Sequence, residues 1–211
     1  MGEKIKTYDQ TFYDFETRTA IKSAEEVLPI FFSLLKKAPL SVVDIGCGTG
    51  AWLHKAQALG VFDVLGLDGE YVQKEMLLIP QDRFMATDLT SDFKINKHFD
   101  LAICLEVAEH ISSKYSENLI KNLTKLSDLI LFSAAIPGQG GTHHINEQWP
   151  SFWFHYFKKF GFIMLDILRP EIWENENVSW WYRQNIFVVC KHDKINSLLR
   201  NIMLPKIWTV C

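Results

Sequence analysis

An α/β fold built on a parallel sheet covered on both faces is the class this sequence predicts, and three observations predict it. From Leu40 onward, short β-type runs alternate with segments of helical period. Those runs are apolar almost throughout, whereas strands with one face in water alternate polar and apolar residues. The first run ends in a glycine-rich turn that leads into a helical segment. Strands separated by helices and buried on both sides form parallel layers.

The elements follow in order. Residues 17–37 carry apolar side chains at helical spacing, Ala24, Val27, Leu28, Phe31, Leu34 and Leu35, so a helix precedes the first strand. The strand runs are LSVVDIG at 40–46, FDVLGLD at 62–68, DRFMATDL at 82–89, FDLAICLE at 99–106 and LILFSAAI at 129–136. Between them, stretches such as WLHKAQALG and ENLIKNLTKL have helical period. Two later runs, FIMLDILR at 162–169 and NIFVVCK at 185–191, lack an obvious crossover helix, because Pro170 and an Asn/Glu cluster break the segment joining them. They read as an antiparallel pair closing one edge of the sheet. INSLLRNIMLPKIW, at 195–208, has the pattern of a short terminal helix. With no repeat and no linker of Ser, Gly or Pro, a single domain is expected over 1–211. Its parts are an N-terminal helical or lid segment, 1–39, a core, 40–191, and a C-terminal helical extension, 192–211.

Composition removes several function classes. A hydrophobic share of 48% with a charged share of 22% is that of a soluble globular chain. Against 25 acidic residues stand 22 Lys and Arg, a formal charge of -3 that leaves no electrostatic footprint for gripping a polyphosphate backbone, so nucleic acid is not an expected partner. The polar start MGEKIKTYDQ and the lack of any apolar run of about 18 residues predict no membrane partner and a cytoplasmic location. Cys47, Cys104, Cys190 and Cys211 show no paired spacing, so free thiols and no zinc are expected.

The sharpest local signal is VVDIGCGTGAW, 42–52, in which a β-run ends at Asp44 and glycines 46, 48 and 50 turn the chain into a helix. Glycines there let the backbone approach a ligand at the carboxyl end of the first strand, where open α/β sheets bind nucleotides. The dinucleotide pattern G-x-G-x-x-G would need glycine at position 51, which is Ala51, and this weighs against an NAD-dependent oxidoreductase. Asp68 ends the next run and Asp88 the third. Each alone could cap a helix or form a turn. A carboxylate at successive strand ends suits a neutral ribose and an adenine amino group far better than a pyrophosphate.

In order, VVDIGCGTG, LGLD, ATDL and FDLAICLEVAEHI resemble the motifs of the class I S-adenosylmethionine-dependent methyltransferases, in particular small bacterial members of the methyltransferase-domain 23/11 type. The resemblance implies a Rossmann-like, seven-stranded, mostly parallel sheet of order 3-2-1-4-5-7-6 with strand 7 antiparallel and helices on both faces. It implies S-adenosyl-L-methionine as cofactor, with Asp44, Gly46, Cys47 and Gly48 around the methionine portion, Asp68 on the ribose, Asp88 and Leu89 at the adenine, and Glu106 beside the cofactor.

FDLAICLEVAEHI places Glu106, Glu109 and His110 at the exit of the fourth strand. If the segment is helical, Glu106 and His110 share a face one turn apart. Acids in a first turn favour the helix dipole, and on that reading no metal is bound. The alternative, also carried by a resemblance of E-x-x-E-H to metal-binding methyltransferases, is magnesium or manganese on Glu106, Glu109 and His110 with His143 or His144 completing the set. GGTHHINEQW, 140–149, follows the fifth strand and so starts on the cofactor rim. In-line methyl transfer gains up to about 7–11 kcal/mol from alignment, and a hydroxyl acceptor must also lose its proton. His143 is the first candidate for general base and His144 the second; substrate-orienting and purely structural roles remain open for both.

Tyr8, Phe12, Tyr13 and Phe15 precede the first helix as a lid or as part of a packed helix. Tyr13, Trp149, Trp173, Trp180, Trp181, Tyr182 and Arg183 are candidate acceptor contacts, since aromatic faces and one cation can hold a sugar or an aromatic ring; edge packing is the other reading. The expected activity is O-methylation of a small-molecule hydroxyl, in a sugar or natural product, by a monomer or homodimer. N-methylation by positioning alone, or a catalytically silent cofactor-binding protein, are the alternatives.

Overall fold

The computed structural model describes the chain over residues 10–200, with side chains from Thr17 onward. Helix α1, Gln10–Ser33, opens it. It buries Ala24, Val27, Leu28 and Phe31, a stripe at helical spacing that packs on one face of the sheet. Then follow β1, Ser41–Ile45; α2, Ala51–Ala58; β2, Asp63–Asp68; β3, Phe84–Ala86; and β4, Leu101–Leu105. The second half holds α3, Ser116–Leu126; β5, Leu129–Ser133; α4, Pro150–Lys159; β6, Phe162–Leu165; α5, Arg169–Ile172; α6, Trp180–Asn185; β7, Phe187–Lys191; and α7, Ile195–Leu198.

The sheet has the order β3-β2-β1-β4-β5-β7-β6. β7 runs antiparallel to both β5 and β6, and the remaining pairs are parallel, as expected. Neighbouring residues on a strand feed opposite layers. Val42, Leu101, Ile103 and Leu131 pack toward α1 and α2, while Val43, Ala102, Cys104 and Ile130 pack toward α3 and α4. With both faces covered, the strands need apolar residues at every position, which explains the absence of alternation.

Several elements depart from expectation, beginning with α1, which starts at Gln10 and ends at Ser33 where 17–37 was expected. The segment between β6 and β7 is not merely irregular: Pro170 stands in the first turn of α5, where its missing N–H costs nothing, and α6 forms just before β7. The expected terminal helix is one turn, α7, after which Leu199 bridges to Leu35; positions 201–208, and Cys211, lie outside the described residues. The third strand is shorter than its apolar run, so Asp88 stands two residues beyond it. No helix among the described residues is long and apolar enough to cross a membrane. Cys47, Cys104 and Cys190 are buried free thiols.

Candidate active site

A cavity of about 750 Å³ opens at the carboxyl ends of β1, β2 and β4, where the chain leaves the sheet in loops. After β1, Gly46 takes φ +76°, and a Cβ there would stand 2.3 Å from a methyl of Val107. Only glycine combines that backbone with that contact. The turn hooks over β2 through Gly46 N–H and Cys47 N–H, which both donate to the Leu67 carbonyl (2.7 and 3.1 Å). Gly48 N–H donates to Asp68 Oδ2 at 2.7 Å, so the second strand's carboxylate fixes the loop of the first. Asp68 Oδ1 accepts Gly69 N–H at 2.7 Å and the Tyr71 hydroxyl. From α1, the Thr17 hydroxyl meets that of Thr49 at 3.0 Å, placing this helix against the glycine loop.

Asp44 stands one residue before the end of β1, is 3% exposed, and has an Oδ2 without a hydrogen-bond partner. Burial, and then the charge of Asp68, push its carboxyl well above the usual range. A group of this kind responds strongly to a cation. Asp88 differs: it is exposed, and its Oδ1 accepts the Thr90 hydroxyl (2.7 Å) and Thr90 N–H (2.9 Å), bonds that hold its carboxyl below the usual range.

The exit of β4 is not helical, which corrects the expectation that Glu106 and His110 share a helix face. Glu106 has φ +55°, and only Ala108–His110 forms a turn, of 3-10 type. The left-handed backbone turns the Glu106 carboxylate toward α6 and the loop after β5. It accepts Asn185 Nδ2 (3.2 and 3.3 Å) and Gln139 Nε2 (3.1 Å). Glu109 is fully buried. Its Oε1 accepts Ala135 N–H at 3.2 Å, its buried Oε2 is reached by no donor, and burial, followed by the nearby Glu106 charge, pushes its carboxyl up to about 9.

The histidine loop is latched to this turn. The Glu109 carbonyl accepts Ile145 N–H (2.9 Å) and Asn146 N–H (3.0 Å), and the buried Asn146 Nδ2 donates to the Ile111 carbonyl (2.9 Å) and the Ser116 hydroxyl (3.0 Å). Glu147 caps the loop's glycines, accepting Gly138 N–H and Gly140 N–H at 2.7 Å each, and meets His144 Nδ1 at 3.0 Å. The His144 ring stands edge-on to that of His110 with centroids 4.9 Å apart. His110 keeps an open side toward the cavity, yet desolvation, followed by the His144 charge, holds its imidazole below the usual value. Ligand atoms of Glu109, His110 and His144 lie within 4.8 Å of one another, a set that contains neither Glu106 nor His143.

The cavity wall brings together Asp44, Gly46, Cys47, Gly48, Asp68, Asp88, Leu89, Glu106, His110, His143, His144, Trp181 and Tyr182, all singled out from sequence. Of the candidates, Glu109 lies behind the wall and the acceptor candidates Trp149, Trp173 and Arg183 stand elsewhere. Trp149 precedes the proline that starts α4 and is 57% exposed outside the wall, and Arg183 turns back to donate to the Trp173 carbonyl at 3.1 Å. The side chains of Tyr13, Phe12 and Phe15, and all of Tyr8, lie outside the described residues. Trp180, also singled out from sequence, stands on the wall too, whereas sequence reasoning missed Tyr71 and Gln139 there and Asn185 and Glu147 behind it. The doublet Trp180–Trp181 beside three polar residues was the available signal for α6.

A sequence model described as a methyltransferase domain matches residues 19–182. No curated protein matches the chain. Among solved structures, the plantazolicin methyltransferase BpumL in complex with SAH aligns at TM-score 0.56 and 15% identity, over 86% of this chain and 88% of that one. Magnesium protoporphyrin IX methyltransferase from Synechocystis PCC 6803 with bound SAH aligns at 0.57 and 18%, over 89% and 88%. The methyltransferase domain of bacterial CtHen1-C aligns at 0.59 and 17%, over 82% and 98%. At these identities the likeness is one of fold.

Proposed function

The chain belongs to the methyltransferase-domain family, and from that premise we propose that it transfers the methyl group of S-adenosylmethionine to a hydroxyl of a small-molecule acceptor. The observation that carries the cofactor assignment is Asp44, a buried carboxylate with an orphan oxygen on a wall that, among the described residues, includes no lysine or arginine. An unpaired buried carboxylate calls for a positive partner from the ligand. S-adenosylmethionine carries an ammonium, a sulfonium and one carboxylate, a net positive charge, and no phosphate. Asp44, Gly46, Cys47 and Gly48 would hold the methionine portion, Asp68 the ribose hydroxyls, and Asp88 with Leu89 the adenine, with Glu106 beside the cofactor.

When bound, the cofactor supplies an electrophilic methyl carbon. The chain's own residues then align the acceptor and take its proton. Glu147 anchors His144 Nδ1, which supports the tautomer with the proton on Nδ1 and the lone pair on Nε2. A carboxylate that orients an imidazole in this way is the arrangement of a general base. His144 therefore takes precedence over His143, and accepts the hydroxyl proton as the new carbon–oxygen bond forms. Calorimetry with S-adenosylhomocysteine tests the cofactor site, and a labelled-methyl screen against phenols, sugars and amines tests the acceptor. His144→Ala is expected to cut transfer to hydroxyls at least 100-fold. Retention of more than half the rate in a variant lacking both His143 and His144 would overturn the base assignment and favour an amine acceptor.

One observation favours a second reading, a divalent cation on Glu109, His110 and His144. Glu109 Oε2 is buried and reached by no donor, and each imidazole has a further hydrogen-bond partner, His144 in Glu147 and His110 in the His143 backbone. Two imidazoles and one carboxylate suit a transition ion such as manganese better than magnesium. The ion would polarise the acceptor hydroxyl, and its binding would have to displace the proton of Glu109. Manganese calorimetry on native protein and on Glu109→Gln decides: heat lost only in the variant supports the ion, and no heat in either rules it out.

A further inference from the structure

We propose that the acceptor is a hydroxylated ring without an anionic group, stacked at the cavity mouth on Trp180 and Trp181. The proposal rests on the methyl-transfer reading above and names the substrate class of the same site. Helix α6 forms the wall adjoining the histidine loop, because Asn185 at its end donates to Glu106 and also to Gln139 Oε1 at 2.8 Å. Three successive residues of α6, Trp180, Trp181 and Tyr182, line the cavity. Tyr182 is committed to packing, buried and edge-on to Trp52 at 5.2 Å. Trp180 is not committed in that way: it keeps 49% of its surface exposed although it stands on the cavity wall, with its ring edge-on to Trp181 at 5.7 Å. Two perpendicular indoles, one half open, form a corner that a ring can fill, against one face and beside the other.

Charge sets the rest of the class. Glu106 stands on the same wall, and α6's own cation, Arg183, is turned away to the Trp173 carbonyl. Among the described residues no lysine or arginine lines the wall, so a phosphate or carboxylate on the acceptor would share the cavity with Glu106 and find no such side chain to answer it. Neutral rings meet no such penalty, and cationic ones gain from the indole faces.

Two matched pairs test this in the presence of saturating S-adenosylhomocysteine: catechol against 3,4-dihydroxybenzoate, and methyl β-D-glucopyranoside against methyl β-D-glucuronide. The neutral member of at least one pair is expected to bind at least tenfold more tightly than its acid, and the pair that responds tells an aromatic ring from a sugar. Trp180→Ala is expected to weaken that ligand at least fivefold, Trp180→Phe to restore most of the loss, and both to leave the Kd for S-adenosylhomocysteine within twofold. Equal or tighter binding of the acids, no binding of either neutral ring, or indifference to Trp180→Ala overturns the proposal. Failure of S-adenosylhomocysteine itself to bind the native protein overturns the methyl-transfer reading instead.

Discussion

Asp68→Asn separates the two tasks of one carboxylate. Asp68 is 4% exposed and accepts three hydrogen bonds, from Gly48 N–H, Gly69 N–H and the Tyr71 hydroxyl, and it is also the residue proposed for the ribose. Asparagine keeps the shape and one acceptor oxygen but turns an NH₂ toward a backbone N–H that then has no partner. Hydrogen bonds to a charged group contribute about 1.5–3 kcal/mol each, so losing one should cost about that much stability. For a chain of this size the cost corresponds to a fall in Tm of about 3–12 °C. The ligand should suffer a loss of the same order, because its hydroxyls would meet a neutral amide in place of a carboxylate. At 1.4 kcal/mol per factor of ten, the Kd for S-adenosylhomocysteine should rise about 10–150-fold. Scanning calorimetry gives the first number and titration calorimetry, well below the lowered Tm, the second. A Kd within twofold of native would refute the ribose assignment, and an unchanged Tm would refute the claim that this side chain holds the glycine loop.

Asp44 should couple binding to pH. Its carboxyl lies well above the usual range when it faces no cation, because of burial and then Asp68. A ligand ammonium lowers that value, so binding expels a proton in the window between the two, and affinity rises with pH across it. Titrations in buffers of different ionisation heat should show proton release that Asp44→Asn abolishes; no net proton exchange in the native protein would contradict this. Gly46→Ala and Gly48→Ala should differ: both sit at positive φ, but only at Gly46 would the new Cβ meet a neighbour, Val107, whereas none lies within 4 Å at Gly48. Gly46→Ala is expected to lose about 2–5 kcal/mol and Gly48→Ala about 1–2, read as denaturant midpoints, and equal losses would undo the packing argument. Trp149→Ala and Arg183→Ala, both off the cavity wall, should leave acceptor KM within twofold in the methyl-transfer assay.

What could be read from sequence divides along physical lines. Strands buried on both faces announce themselves, because burial acts residue by residue and leaves runs such as LAICL. The rim at β1 and β2 was equally legible, since a glycine turn and a terminal aspartate are local signals. Helices α5 and α6 were not, for each is too short to show a period and owes its place to contacts such as the Ser23 hydroxyl with Ser179 N–H at 3.0 Å, between residues 156 apart. The histidine loop was legible in composition but not in shape. Its latch uses the carbonyl of Glu109 and the amides of Ile145 and Asn146, and backbone groups carry no signature in the sequence.

EVAEH is the instructive case. Spacing alone put Glu106 and His110 on one helical face, but a single left-handed residue at 106 moves the two into different assemblies. Glu106 joins the amides of Gln139 and Asn185, which tie the tryptophan helix to the strand end. Glu109 and His110 join the histidine loop, one through its carbonyl and the other through its ring. Five consecutive residues thus brace the two walls between which an acceptor would sit. A change at Glu106 is accordingly expected to disturb the α6 wall, and a change at Glu109 the histidine wall. The linear pattern could not have separated these effects, because the separation arises from one backbone angle.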